Sequence, residues 1–165
     1  MNAAVHVTKD LVLINLEARD KAEVVLSLAR LLERRGYVKP SFGPAVLSRE
    51  ERFPTGLPTT PVGVAIPHAD AVHCLSASMA AATLARPVKF GLMGDDCKCV
   101  DVGVVFLLAL TDAGRQAEFL ARLTGMFSDP QRLLQIKGAR EPGDLIGIIQ
   151  PYVCGWQGGA REGAV

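Results

Sequence analysis

The stretch from Val100 to Leu110 constrains the fold more than any other part of the chain, because it is an almost unbroken apolar run. Valine, leucine and phenylalanine dominate it, and its length is typical of a β-strand that is buried on both faces. Its most apolar part, Val102 to Leu110, is far shorter than the roughly 20 residues that a membrane-spanning helix needs. The run therefore predicts a central strand of a layered globular domain.

Strand-like and helix-like segments alternate before this run. Leu11–Leu16 is predicted to be a first strand, and the capping-box-like sequence at Asp20 predicts a helix that Gly36 ends. A short second helix is predicted after Ser41 as its N-cap, with Arg49 near its C-terminal end. Val62–Ile66 and Ser78–Val88 are predicted strands, with a structured loop over residues 53–61 and a turn over residues 91–98.

Three helices are predicted after the central strand. They begin near Asp112 or Gly114, at Asp129-Pro130 and at Glu141-Pro142, and Pro151 is expected to end the last one. Helices that first interleave with strands and then cluster indicate an α/β fold, namely a three-layer α/β/α sandwich with a mixed β-sheet. We expect residues 1–165 to form a single domain, with a core over about residues 10–151 and a flexible tail over residues 155–165.

Charge and cysteine content narrow the classes of function. The formal net charge is +1 in 165 residues, so there is no bulk attraction to nucleic acid or to an anionic membrane. The N-terminus lacks the layout of a signal peptide, which favours a cytoplasmic protein. Cys74, Cys97, Cys99 and Cys154 match neither a disulfide framework nor a paired zinc motif, so we expect four reduced thiols.

One histidine follows a short apolar run and a proline, in the segment Gly63-Val64-Ala65-Ile66-Pro67-His68. Proline biases the residue before it toward extended backbone, so His68 is expected at the end of a strand. A neutral imidazole is a nucleophile near pH 7, and phosphoryl transfer needs mainly in-line positioning and donors to the phosphoryl oxygens. His68 is therefore predicted to accept and pass on a phosphoryl group, and the alternative is a histidine satisfied by hydrogen bonds at a strand end.

An Arg-Glu pair and a loop rich in proline and threonine precede the histidine, in the segment Arg49-Glu50-Glu51-Arg52-Phe53-Pro54-Thr55-Gly56. A guanidinium such as that of Arg49 can hold phosphoryl oxygens in a bidentate manner, and Glu50 is a candidate to orient it. The alternative for Arg49 is a surface salt bridge, which would contribute little. Thr55 is a candidate donor to the phosphoryl group, although loop threonines more often cap turns.

These two segments resemble the enzyme IIA domains of the bacterial sugar phosphotransferase system, in the mannitol/fructose-type superfamily. The motif Arg-Glu-x-x-Phe-Pro-Thr-Gly followed by Ala-Ile-Pro-His is most similar to the galactitol-type branch. The resemblance covers about residues 10–150 and is specific around residues 49–68. It implies the same three-layer architecture, His68 as the phosphorylated residue and Arg49 beside the phosphohistidine.

Three further positions are candidates to support the phosphoryl site. Mannitol- and fructose-type enzymes carry a second active-site histidine at the start of the helix after the long strand, and this chain has Gln116 at that position. Galactitol-type domains also lack that histidine, so the difference agrees with the galactitol-type branch. An amide can donate a hydrogen bond to phosphate but cannot titrate. His73 is a candidate to compensate, with a surface histidine as the alternative, and Asp70 is a candidate to hold an imidazole tautomer or to cap a helix.

The resemblance implies that phospho-HPr is the donor and that a cognate enzyme IIB is the acceptor, for uptake of galactitol or a related polyol. No metal or cofactor is implied, and the membrane is reached only through the transporter subunit. Alternatives are a regulatory paralogue that signals through its phosphorylation state and a pure binding module. A small metal-dependent hydrolase using His68, Asp70 and His73 is a further alternative, although their spacing matches no recurrent zinc pattern.

Overall fold

The computed structural model describes residues 4–153, in which strands and helices alternate before three helices close the chain. Its α-helices are α1 Lys21–Arg34, α2 Phe42–Arg52, α3 Gln116–Phe127, α4 Pro130–Lys137 and α5 Pro142–Val153. Its β-strands are β1 Val12–Leu16, β2 Gly56–Leu57, β3 Gly63–Ala65, β4 Ser78–Leu92 and β5 Asp95–Ala109.

The sheet is mixed, as predicted. Within residues 4–153 its strand order is β1-β4-β2-β3-β5, and β4 also pairs with β5. The β1–β4 and β3–β5 pairs are parallel, whereas β4 and β5 form a long antiparallel hairpin. The pairing of this hairpin is irregular between Thr83 and Val88, and Pro87 lies there, where a strand tolerates a residue that has no N–H to donate.

Helices cover the sheet on both faces, so the predicted three-layer α/β/α sandwich is confirmed. One apolar cluster joins α3, α4 and α5 to side chains such as Ile66, Phe106 and Leu108. The other joins α1 and α2 to side chains of the opposite face, such as Ala65 and Leu107. Alternate residues of the second half of β5 thus point into different clusters, which is why the segment from Val104 to Ala109 is apolar at every position rather than at every second one.

Side chains and glycine fix the helix boundaries near the predicted places. The Asp20 carboxylate accepts a hydrogen bond from the Glu23 N–H at 2.9 Å at the start of α1, and Gly36 follows the helix with φ of +72°. The Asp129 carboxylate accepts from the Gln131 N–H at 3.0 Å at the start of α4. These local signals are readable in sequence because each depends only on residues within one turn.

Other boundaries differ from the prediction. The predicted turn over residues 91–98 is wrong, because β4 continues to Leu92 and β5 begins at Asp95, with the turn confined to Met93 and Gly94. Pro151 lies inside α5, which ends at Val153, since a proline in the last turn removes only one helical hydrogen bond. Ser41 precedes α2, but its side chain makes no capping hydrogen bond.

Close backbone contacts bring the hairpin turn toward the strand before His68. The Met93 N–H donates to the Gly56 carbonyl at 2.8 Å, and Gly56 also pairs with Ala65 of β3. A Cβ atom on Gly56 would lie 2.5 Å from the Gly91 carbonyl oxygen, so only glycine fits there. The turn between β4 and β5 is thereby held beside the loop that follows α2.

The described cysteines agree with the expectation of reduced thiols. Cys74 is buried, whereas Cys97 and Cys99 are exposed, and all three are free. Cys154 and the predicted flexible tail over residues 155–165 lie outside the described residues.

Candidate functional site

The sheet edge at the end of β3 carries His68, as the sequence predicts. Beyond Ala65 the chain stays extended, and the Leu108 N–H of β5 donates to the Pro67 carbonyl at 3.0 Å, so that His68 pairs with Leu108. The His68 side chain is nearly buried, with the residue 7% exposed. Its backbone is thus fixed by the central strand of the sheet.

A backbone carbonyl sets the tautomer of the His68 imidazole. Nδ1 lies 2.9 Å from the Ile66 carbonyl oxygen. Because a carbonyl oxygen only accepts, Nδ1 carries the proton and donates, and Nε2 keeps its lone pair. The sequence-based hypothesis that Asp70 holds an imidazole tautomer is not supported for His68, since Ile66 does this.

Burial also keeps this imidazole neutral. Burial lowers the pKa of His68 below its ordinary value of 6.5, and the nearby Arg49 charge lowers it further. The hydrogen bond with the Ile66 carbonyl and the Asp70 charge act in the opposite direction and only partly offset the burial. The His68 imidazole is therefore neutral at pH 7.

His68 lines a cavity of about 400 Å³, named here the His68 cavity. Its other lining residues come from the end of α2, the loop after it and the β4–β5 turn: Arg49, Arg52, Phe53, Pro54, Thr55, Met93, Gly94, Asp95 and Asp96. A smaller cavity of about 220 Å³, the His73 cavity, adjoins it. The two cavities share Arg49, Arg52 and Phe53, so the end of α2 forms the wall between them.

Arg49 has an unused hydrogen-bond donor at this wall. One terminal nitrogen, Nη1, donates to the Asp70 carboxylate at 3.3 Å, and the guanidinium lies 5.5 Å from the centre of the Phe53 ring. Its Nε atom is buried and has no hydrogen-bond partner among the described residues. Because a buried donor without a partner is costly, an anion that entered the cavity and accepted from Nε would be stabilised.

Glu50 anchors the loop after α2. Its carboxylate accepts from both the Thr55 N–H and the Thr55 hydroxyl, each at 2.9 Å, and both residues are buried. Burial raises the pKa of Glu50, and the two hydrogen bonds only partly offset this. Thr55 lines the His68 cavity, but its hydroxyl proton is engaged with Glu50 rather than free for a phosphoryl group. Both bonds of Glu50 go to this loop, whereas the sequence-based hypothesis had Glu50 orient Arg49.

None of the remaining predicted residues lines the His68 cavity. His73 lines the His73 cavity together with Asp70, and its Nδ1 lies 2.8 Å from the Ser41 hydroxyl oxygen. Asp70 is exposed and pairs with Arg49. Gln116 is half-buried at the start of α3 and lines neither cavity.

Two parts of the site were missed by sequence reasoning. Arg52 lies in both cavity walls, and its position one turn from Arg49 on α2 was the signal that a helical projection could have used. Asp95 and Asp96 reach the His68 cavity from the start of β5, far from His68 in sequence, and no local pattern indicates that contact.

The metal-dependent hydrolase is not supported by the geometry. Among residues 4–153, the ligand atoms of His68, Asp70 and His73 do not converge on one point. The ligand atoms that do lie close together are those of Asp95, Asp96 and Cys97, at the start of β5.

Among residues 4–153, no helix is long and apolar enough to cross a membrane.

Comparison with known proteins identifies the family. The family model described as "Phosphoenolpyruvate-dependent sugar phosphotransferase system, EIIA 2" matches residues 5–151. The galactitol-specific EIIA component of the phosphotransferase system of Escherichia coli K12 is 29% identical over 111 residues, which are 67% of this chain and 73% of that protein.

Two other similarities come from a regulator and from a solved structure. The transcriptional regulator ManR of Bacillus subtilis is 30% identical over 105 residues, which are 64% of this chain and 15% of the regulator. The complex of enzyme IIA-mannitol with phosphorylated enzyme IIB-mannitol from Escherichia coli matches with a TM-score of 0.73 and 19% identity, over 89% of this chain and 99% of that one. At that identity the solved structure shows the fold alone.

Proposed function

The chain belongs to the EIIA 2 family of the phosphoenolpyruvate-dependent sugar phosphotransferase system, and on that premise we propose that His68 is its phosphoryl carrier. The donor is phosphorylated HPr, and the acceptor is a cognate enzyme IIB. The observation that carries the proposal is the fixed tautomer of His68, whose Nδ1 donates to Ile66 and whose lone pair is therefore on Nε2, in a ring that lines an arginine-bearing cavity.

The chemistry follows from that tautomer. The Nε2 lone pair attacks the donor phosphorus in line, a new N–P bond forms, and the donor N–P bond breaks with its electron pair left on the donor ring. The proton of His68 stays on Nδ1, which donates it in a hydrogen bond to the Ile66 carbonyl, so His68 needs no general base. In the second step the enzyme IIB nucleophile attacks the same phosphorus, and the electron pair of the breaking bond returns to Nε2.

Arg49 is the residue that holds the transferred group. The phosphoryl group brings negative charge to a buried site, where charge-assisted hydrogen bonds are strong. The Nε atom of Arg49 is a buried donor without a partner, and Arg52 adds a second guanidinium in the same wall. The two arginines thus offer hydrogen-bond donors for phosphoryl oxygens beside the neutral His68 ring.

The surface around the cavity supports proteins as donor and acceptor. Phe53 is 61% exposed and Met93 is 42% exposed, and both line the His68 cavity. Val72, next to His73, is 66% exposed. Large apolar side chains in water are typical of surfaces on which a partner protein docks.

The sugar is proposed from similarity. The Escherichia coli K12 relative is named as galactitol-specific, which favours a role in uptake of galactitol or a related polyol. A regulatory role is the second candidate, because the similarity to the transcriptional regulator ManR covers 64% of this chain. In that case the phosphorylation state of His68 would be read through protein contacts.

Phosphorylation of the purified protein by phosphoenolpyruvate, enzyme I and HPr tests the carrier role. We expect an acid-labile, base-stable adduct on the wild type and none on His68→Ala, whereas His6→Ala, which changes an exposed histidine outside both cavities, is labelled like the wild type. An unlabelled wild type would contradict the proposal and favour a pure binding module.

Deletion of the gene separates transport from regulation. Loss of polyol uptake, restored by the wild type but not by His68→Ala, supports transport. Unchanged uptake with altered activities of other enzymes supports the regulatory role instead.

A further inference from the structure

Two aspartates at the start of β5, directly after the β4–β5 turn, share the His68 cavity with the two arginines of α2. Asp95 and Asp96 line it from the hairpin side, and Arg49 and Arg52 line it from the helix side. Two positive and two negative formal charges therefore surround a neutral His68. The cavity that receives an anionic group thus has no net attraction for one, although its arginines are suited to hold it.

The two carboxylates differ in their partners, and neither forms an ion pair with an arginine of the cavity. The Asp95 carboxylate accepts from the Cys97 N–H at 3.1 Å, which closes the turn, and it lies 3.7 Å from the Lys98 ammonium. Asp96 is exposed and has no ion-pair partner among residues 4–153, and the Cys97 thiol donates to it at 3.7 Å. Neither carboxylate pairs with Arg49, which is engaged with Asp70.

We propose that Asp95 and Asp96 are specificity-determining residues, which slow phosphorylation of His68 by small anionic phosphoryl donors and so make a phosphorylated protein the effective donor. The inference rests on the proposed function of His68. A small anion brings only its charge to the cavity, and the carboxylates oppose its entry. A docked protein also gains contacts with Phe53 and Met93, which offset the same repulsion.

The size of the effect follows from the size of the cavity. A space of about 400 Å³ is roughly 9 Å across, and two unit charges at that separation in water change an association constant about twofold. Removing one carboxylate is thus expected to speed a monoanionic donor about twofold, and removing both about fivefold. High salt should abolish the difference, because the screening length at 1 M is about 3 Å.

Phosphoramidate is the probe for this proposal. In its reaction with His68 the Nε2–P bond forms, the P–N bond of phosphoramidate breaks, and the nitrogen leaves as ammonia. The rate of labelling is measured by intact-protein mass spectrometry on the wild type, Asp96→Asn and the double variant Asp95→Asn/Asp96→Asn. Asparagine keeps the side-chain oxygen that closes the turn while it removes the charge.

Asp101→Asn is the matched control, because Asp101 is an exposed carboxylate on the same hairpin that pairs with Lys89 and does not line the cavity. We expect labelling to quicken about twofold in Asp96→Asn and about fivefold in the double variant at low salt, and to be unchanged in Asp101→Asn. We also expect the rate with phospho-HPr to rise less than the rate with phosphoramidate.

Equal rates in wild type and double variant at low salt would overturn the proposal, as would an equal acceleration in Asp101→Asn. In either case labelling of wild-type His68 would leave the carrier role standing. Labelling that persists in His68→Ala would instead contradict the carrier role itself.

Discussion

In the proposed function, binding of the phosphoryl group depends on Arg49, whose guanidinium combines three features. It pairs with Asp70 through Nη1, packs against Phe53 and leaves a buried Nε donor unused. A lysine at this position would keep the positive charge but lose the planar fork of donors. A substitution at this one residue can therefore separate the contribution of the positive charge from that of the hydrogen-bond geometry.

Replacing Arg49 by lysine tests that distinction. We expect Arg49→Lys to slow phosphorylation by phospho-HPr about tenfold or more, because one ammonium cannot replace both the Asp70 pair and the Nε donor. Rapid-quench labelling measures the rate, and Arg30→Lys, an exposed substitution on α1, is the control. An unchanged rate in Arg49→Lys would show that charge alone suffices there.

Protonation of His68 links activity and stability to pH. Burial lowers its pKa below 6.5, so the unfolded chain binds more protons than the folded protein as the pH falls through that value. The contribution to folding stability is present above the unfolded pKa and is lost as the pH falls. Phosphorylation needs the neutral ring, so its rate should hold through pH 6.5 and decline only below the lowered pKa.

Urea unfolding of wild type and His68→Gln at a series of pH values checks the sign. We expect the wild type to lose more stability than the variant as the pH falls below 6.5. An equal loss in both proteins, or a His68 pKa above 6.5 in an NMR titration, would contradict the burial argument.

Some residues of the site were predictable and others were not, for physical reasons. His68 and Arg49 stand in a recognisable local pattern. The role of the Ile66 carbonyl was not predictable, because it depends on the rotamer that the buried ring adopts. The Glu50–Thr55 pair spans the end of α2, and its formation depends on how the following loop turns back.

Among the elements, the loop after α2 depends on that buried pair. The Glu50 carboxylate accepts two hydrogen bonds from Thr55 and holds the loop through them. Its burial raises its pKa, because transfer of a carboxylate out of water is unfavourable. This segment carries Phe53 and Pro54 to the His68 cavity. Loss of one bond should loosen the cavity wall without removing a residue that touches the phosphoryl group.

Thr55→Val removes the hydroxyl and keeps the shape of the side chain. We expect it to lower the free energy of unfolding by about 1–2 kcal/mol, because a buried carboxylate oxygen loses its donor. Thr55→Ser keeps the donor and serves as the control in the same denaturant titration. A Thr55→Val protein as stable as the wild type would mean that the pair does not anchor the loop.

The β4–β5 turn is placed by glycine backbone contacts, which sequence patterns did not reveal. Gly91 suggested a turn, yet it lies within β4, and a Cβ atom on it would lie 2.7 Å from Pro54. Glycine here reflects the close approach of another segment rather than a bend. That ambiguity is why the predicted turn was placed too early and made too long.

Gly56→Ala tests the close approach. Its Cβ would lie 2.5 Å from the Gly91 carbonyl oxygen, so we expect a loss of stability of about 2 kcal/mol or more and a displaced hairpin turn. Gly147→Ala in α5 is the matched control, because nothing lies within 4 Å of its added Cβ and alanine favours helix. Thermal unfolding measures both, and equal stability of the two variants would contradict the packing argument.

At the scale of the whole molecule, the layered architecture was the most predictable feature. Side chains of the apolar run of β5 belong to both clusters, one packed against α1 and α2 and the other against α3, α4 and α5. Because both clusters share the strands of one sheet, we propose that the described residues unfold as a single domain. The contact between the tip of the β4–β5 hairpin and β2 was not predictable, since it joins segments that are far apart in sequence.

If His68 is the phosphoryl carrier that we propose, the same architecture lets one histidine serve two partners. The sheet fixes the His68 backbone through Leu108, α2 supplies the arginines, and the hairpin turn supplies the carboxylates. Each wall of the cavity thus comes from a different element, and exposed apolar side chains surround the opening. A donor and an acceptor can use this surface in turn, since both must reach the same Nε2 atom.

The most direct test of this account is the nitrogen that carries phosphorus in the enzymatically phosphorylated protein, read by phosphorus and nitrogen NMR. The account predicts one phosphohistidine, at His68, joined through Nε2 while Nδ1 keeps its proton and its bond to the Ile66 carbonyl. Phosphorus on Nδ1 of His68, or on His73, would contradict it.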